Sequence, residues 1–148
     1  MNRNYCLFFI LLVTFLQHES ILAQRVEKVR KEMEELLVAQ SSAWNQGNVE
    51  DFMKTYWDDE NLLFLSKNGP TFGYRNTLEN YYKRYPDRDA MGYLTFEIVR
   101  LDKRSRSVYS LVGKYHLNRD KMDNLSGFFL LIIKKIKGDW KIVADSTH

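Results

Sequence analysis

Cysteine is nearly absent from this chain: Cys6 is the single one among 148 residues. It precedes the apolar run at the N-terminus, so it is not a lipid-attachment cysteine at a cleavage site. With that segment removed, the remaining chain has no disulfide, no thiol nucleophile and no Cys-based metal site. Its stability must therefore come from a core, and about 125 residues are enough to form one. Histidine is scarce as well, with three residues and no pair at metal-ligand spacing, which argues against a structural or catalytic metal. No strong charge bias exists either. The 22 basic and 19 acidic residues leave a formal net charge of +3, and no basic stripe interleaved with aromatics suggests nucleic acid. Nucleophile-elbow serines and Gly-rich phosphate loops are both missing. No cofactor is expected.

Long apolar runs are missing too. Leu7 to Leu16 is apolar apart from Thr14, well short of the roughly 20 residues of a spanning helix. It follows the weakly basic Asn2-Arg3-Asn4 and precedes the polar stretch Gln17 to Ser20. This order is expected to be a secretory signal peptide over residues 1–23, cleaved after Ala23. Residues 24–148 then form one exported domain, periplasmic or secreted and free of the membrane after cleavage.

What is present is a well-marked order of elements. Phe128 to Ile133 is six apolar residues with β-branched and aromatic content, which predicts a strand. Lys137-Gly138-Asp139 marks a tight turn, and a last strand starts at Trp140. Phe128, Leu130 and Ile132 point one way, and Phe129, Leu131 and Ile133 the other. A strand apolar on both faces is covered on both, with a second copy of the protein as one candidate for the outer cover. In simple alternation Trp140, Ile142 and Ala144 share one face, and Lys141, Val143, Asp145 and Thr147 the other.

Upstream, Val26, Val29, Met33, Leu36, Leu37, Gln40, Ala43 and Trp44 fall at helical spacing over Gln24 to Gln46, stopped by Gly47. Asn48 is expected to cap a short second helix, with Asp51 as its acidic partner. Leu62 to Ser66 is a short strand, and Lys67-Asn68-Gly69-Pro70 a turn. A third helix follows Gly73, with Leu78, Tyr81, Tyr82 and Tyr85 at helical spacing, and stops at Pro86. Pro86 to Gly92 is expected to be a polar loop. Tyr93 to Leu101 and Ser107 to Leu117 are strands. Helices followed by long strands make an α+β fold.

The closing Trp140-Lys141-Ile142-Val143-Ala144-Asp145-Ser146-Thr147 after a tight turn resembles the last strand of SnoaL-like domains, in particular the DUF4440 group, of the NTF2-like superfamily. Ala43-Trp44-Asn45 ending the first helix, Asp58-Asp59-Glu60 before the first strand and Gly73 before the third helix stand where that family has its features. The tail departs in one respect: His148 stands three residues after Asp145, where the family has a His directly after the Asp. The resemblance implies an NTF2-like (cystatin-like) cone with three N-terminal helices packed in a curved antiparallel sheet. It also implies an apolar interior suited to a small molecule. Relatives such as ketosteroid isomerase and SnoaL-type cyclases combine a carboxylate with polar donors in such a cone.

Two carboxylates are candidate catalytic groups. Asp58 follows Tyr56-Trp57 and is either a solvated helix-ending turn or a general acid or base at the mouth, its pKa raised by an apolar wall. Asp145 sits in a strand, where Asp is depleted. Unpaired burial would cost several kcal/mol, so it needs a partner, a solvated cavity or a proton. Trp44, Tyr56, Tyr82 and Tyr115 are the expected ligand-facing aromatics, with core packing as the alternative. His116 reads as a surface residue and His148 as a disordered terminus. Three functions remain open. One is a homodimeric pocket protein for a small apolar or aromatic molecule. Another is a proton-transfer enzyme of isomerase, cyclase or hydratase type. The third is an interaction module with a filled interior.

Overall fold

A computed structural model describes residue 24 and residues 26–148. The expected signal peptide and Cys6 lie outside the described residues. The chain divides into two compact units, residues 1–33 and 34–148. In the first, residues 24 and 26–33 are helical, with a surface Lys28–Glu32 pair one turn apart. Everything below concerns the second unit.

That unit opens with helix α1, residues 34–45. Gly47, at φ 81°, ends it, a left-handed conformation that glycine adopts without steric cost. Helix α2, Val49–Met53, is capped as expected: the Asn48 side chain accepts from the Asp51 N–H at 2.9 Å. The chain then meets the sheet edge. Ile142 N–H donates to Thr55 C=O, and Trp57 N–H donates to Ile142 C=O. Strand β1, Leu63–Ser66, follows.

The segment expected to be only a turn is a hairpin. Strand β2, Gly69–Phe72, pairs back on β1, with Leu65 opposite Pro70. Proline is tolerated because β2 is the end strand of the sheet, where a missing donor leaves no ladder bond unmade. Helix α3, Tyr74–Arg84, lies between Gly73 and Tyr85. The expected loop before Gly92 contains one helical turn, α4, Arg88–Met91, capped by the Asp87 side chain. Its Ala90 and Met91 are buried, a small apolar plug in an otherwise polar stretch.

Three long strands and the closing one complete the sheet: β3, Tyr93–Lys103; β4, Val108–Asn118; β5, Leu125–Ile136; β6, Asp139–Thr147. The spatial order is β2-β1-β6-β5-β4-β3. The sheet is mixed rather than wholly antiparallel, because β1 runs parallel to β6, with Phe64 opposite Asp145. The turn from β5 to β6 is Lys137-Gly138, both at positive φ, between paired Ile136 and Asp139; this is the tight-hairpin signature.

One irregularity decides the site. Ile133 pairs with Ile142, but Ile132 pairs with Ala144. Val143 is the extra residue of a β-bulge, so the side-chain alternation of β6 resets there. Ile142 and Asp145 therefore both face the buried side, 0% and 5% exposed. Simple alternation had placed them on opposite faces.

On the inner side, Trp44 of α1 and Phe52 of α2 meet Tyr81 of α3, and Trp44 meets Tyr85 at the α3 C-cap, in edge-to-face contacts with centroids 4.8–5.9 Å apart. Trp44 Nε1 donates to Met91 C=O at 2.9 Å. Asn45 makes a two-way bond to the Leu94 backbone of β3. The Ala43-Trp44-Asn45 stretch thus ties α1 to α4 and β3. On the outer side, Phe128 and Leu130 are 58% and 42% exposed, so that apolar face is uncovered among the described residues.

Candidate functional site

A cavity of about 660 Å³ opens between the helices and the inner sheet face. That is within the range of small-molecule sites. Most of its wall is apolar or aromatic: Trp44 and Phe52 from the first two helices, Tyr81 and Tyr85 from α3, Phe64 from β1, and Phe96, Phe129 and Leu131 from the sheet. Gly113 of β4 shapes one wall, because a Cβ there would overlap the Phe129 ring.

The polar centre is Asp145, which lines the cavity and is buried. The Tyr56 hydroxyl donates to its Oδ2 at 2.7 Å, and the Thr147 hydroxyl donates to Oδ1 at 2.6 Å. Both are in the range of charge-assisted O–H···O⁻ bonds. Burial raises the Asp145 pKa from the usual carboxylate value of 3.8 to about 6, and the Thr147 and Tyr56 hydrogen bonds offset only part of that. Tyr56 itself stays protonated. Burial first, then the neighbouring Asp145 charge, holds its pKa well above the ordinary tyrosine value. Tyr81 is raised in the same way and interacts with Tyr56 through its hydroxyl. The arrangement is a carboxyl that changes protonation near neutral pH, flanked by one phenolic and one alcohol donor, in the wall of a mostly apolar chamber. It can accept a hydrogen bond, donate one when protonated, or transfer a proton.

Four of the six residues selected from sequence line this cavity: Asp145, Tyr56, Trp44 and Tyr115. Two lie outside it. Asp58 is exposed in the turn after α2, where its charge acts on Tyr74 of α3. No apolar wall surrounds it, because the chain turns away from the chamber directly after Tyr56. Tyr82 is 41% exposed and bonds Glu50. The chamber-facing stripe of α3 is instead Thr77, Tyr81 and Tyr85 at i, i+4 spacing. Thr77, 1% exposed, was the available signal for that face, but a polar residue does not register in an apolar pattern. Thr147 and Gln40 are further polar wall residues that sequence reasoning passed over.

Neither histidine considered as a candidate is in the chamber wall. His116 is half-buried on β4. His148 is held at the chain end, its N–H donating to Phe128 C=O at 3.1 Å and its ring 3.0 Å from Ser146 Oγ. Among the described residues, no group of three or more His, Cys, Asp or Glu is placed to hold a metal ion. No described helix is long and apolar enough to cross a membrane.

No family model matches the chain, and no curated protein does. Solved structures do. An NTF-2 like protein of unknown function from Shewanella oneidensis MR-1 is 34% identical, with a TM-score of 0.76 over 80% of this chain and 97% of that one. A ketosteroid isomerase-like protein from Erwinia carotovora atroseptica superposes with a TM-score of 0.60 at 17% identity, over 77% and 90% of the two chains. A nuclear transport factor 2 (NTF2-like) superfamily protein from Salmonella enterica does so with 0.65 at 14% identity, over 83% and 92%. The last two likenesses concern the fold alone. With the first of them covering nearly the whole of its relative at a third identity, the chain belongs to the NTF2-like superfamily.

Proposed function

We propose that this protein binds a small, largely apolar or aromatic molecule in its chamber, oriented by hydrogen bonding to Asp145 and Tyr56. One observation carries the reading: a buried, hydrogen-bonded carboxyl stands at the wall of a mostly apolar and aromatic cavity of about 660 Å³. A filled interior would have used that volume for side chains. On this reading the chain is an exported SnoaL-like domain of the DUF4440 type, with residues 1–23 as its leader. Two copies meet through the uncovered outer sheet face, where Val112 of β4 lies opposite Leu130 of β5.

A second reading, proton-transfer catalysis, rests on the Asp145 pKa of about 6, close to the optimum for an acid–base group at neutral pH. The kinship in fold to a ketosteroid isomerase-like protein is compatible with it.

The neutral dye N-phenyl-1-naphthylamine tests the first reading. It is expected to bind one per chain with enhanced fluorescence. Ser66→Trp should block binding by placing an indole beside Phe64 on the chamber side of β1. No binding to the wild type, or undiminished binding to Ser66→Trp, would sink the chamber as a ligand site. Solvent deuterium exchange at the α-carbon of 2-tetralone tests the second. Exchange by the wild type that is lost in Asp145→Asn supports proton transfer. No exchange despite binding leaves the protein a binder.

A further inference from the structure

The charges of the chamber are distributed unevenly. Among the described residues, its one acidic wall residue, Asp145, is buried, and its three cations, Lys67, Lys83 and Arg84, are all exposed. The exposed part of a cavity lining is its mouth, so the opening is basic while the interior is apolar. Lys67 comes from the turn between β1 and β2; Lys83 and Arg84 come from the last turn of α3. Two separate elements thus bring positive charge to one rim. None of the three takes part in an ion pair among the described residues; Arg84 lies over the Tyr85 ring, 5.6 Å from its centroid, which leaves its charge available. Asn68 and Asn80 add neutral polar groups to the same wall.

Basic residues in the last turn of α3 also complement the helix dipole. That accounts for Lys83 and Arg84. It does not account for Lys67, which belongs to no helix, nor for the absence of an exposed carboxylate among the described lining residues.

The spacing sets a ligand length. Phe64 pairs with Asp145. Ser66 ends β1 two residues further along and Lys67 follows in the turn, a backbone path of at most roughly 10 Å at strand rise. A molecule anchored at both ends therefore spans up to about 10 Å.

We infer that the chamber selects anionic amphiphiles: organic acids with an apolar or aromatic body up to about 10 Å long, the body inside and the anionic group held at the Lys67–Lys83–Arg84 mouth. This rests on the proposed chamber-binding function and adds the class of ligand to it. A ligand oriented in this way keeps its anion away from Asp145 and presents to Asp145 and Tyr56 the hydrogen-bonding group of its otherwise apolar inner end.

Two dyes that share one body separate the two ideas: 1-anilinonaphthalene-8-sulfonate carries the anion, and N-phenyl-1-naphthylamine lacks it. The quantity read is the ratio of their Kd values. In the triple variant Lys67→Gln, Lys83→Gln, Arg84→Gln, the sulfonate dye is expected to lose about tenfold in affinity, about twofold for each exposed charge. The neutral dye should be unchanged, and circular dichroism should match the wild type. On the wild type, raising salt from 0.05 to about 0.5 M should weaken only the sulfonate dye. An equal effect of the variant on both dyes, or a sulfonate Kd indifferent to both salt and the variant, would overturn the selectivity. If the neutral dye binds and the sulfonate dye does not, the selectivity is again overturned while the chamber stands. If neither dye binds, the chamber reading itself fails.

Discussion

Asp145→Asn, measured across pH, gives the sharpest test of the site's electrostatics. Asparagine keeps the shape of the side chain and cannot ionise. In the wild type, the folded-state pKa of about 6 lies above the ordinary carboxyl value of 3.8. The fold therefore holds this proton more tightly than the unfolded chain does. Stability from this group is fully present below pH 3.8, falls as pH rises, and is lost above pH 6. At 1.36 kcal/mol per pH unit, the gap comes to about 3 kcal/mol. The two hydrogen bonds to the carboxylate are already contained in that figure, because they act on the same pKa. Urea unfolding followed by tryptophan fluorescence, at intervals from pH 4 to pH 7.5, measures both proteins. Taking the wild type minus the variant cancels every other titrating group. Because the unfolded carboxyl is already more than half ionised at pH 4, the difference should fall by about 2 kcal/mol between pH 4 and 6.5 and then level off. A difference flat in pH would mean that burial does not outweigh the Thr147 and Tyr56 hydrogen bonds. One that rises with pH would mean that its hydrogen bonds outweigh its burial.

Two further expectations follow from the packing. Gly113→Ala places a methyl group against the Phe129 ring and 2.8 Å from Glu97 C=O; it should destabilise by about 1–3 kcal/mol and narrow the chamber, read as a lower Tm together with weaker N-phenyl-1-naphthylamine binding, and an unchanged Tm would show that the ring turns away freely. Phe128→Lys combined with Leu130→Lys on the exposed outer face should convert a dimer to a monomer in sedimentation, with the dye site intact; a wild type that is monomeric at tens of micromolar would refute the outer-face contact.

Local chemistry made much of this architecture legible. The turn at Lys137-Gly138, the Asn48 cap and the stop at Gly47 each depend on residues within a few positions of one another. The same signals placed Trp44 and Tyr56 with the aromatic interior, and the rarity of a strand Asp singled out Asp145. Three features required the folded chain. The Val143 bulge exists only through the pairing of β6 with β5, so no period-two reading of β6 alone could turn Ile142 and Asp145 to the same side. The choice of Tyr81 over Tyr82 depends on the angle at which α3 meets the sheet, which neighbouring tyrosines cannot distinguish by spacing. The basic mouth is built from a strand turn and a helix end brought together across the sheet. Sequence periodicity reports which side of an element is apolar; which elements share a cavity is decided by packing between residues distant in the chain, as Tyr56 and Asp145 are.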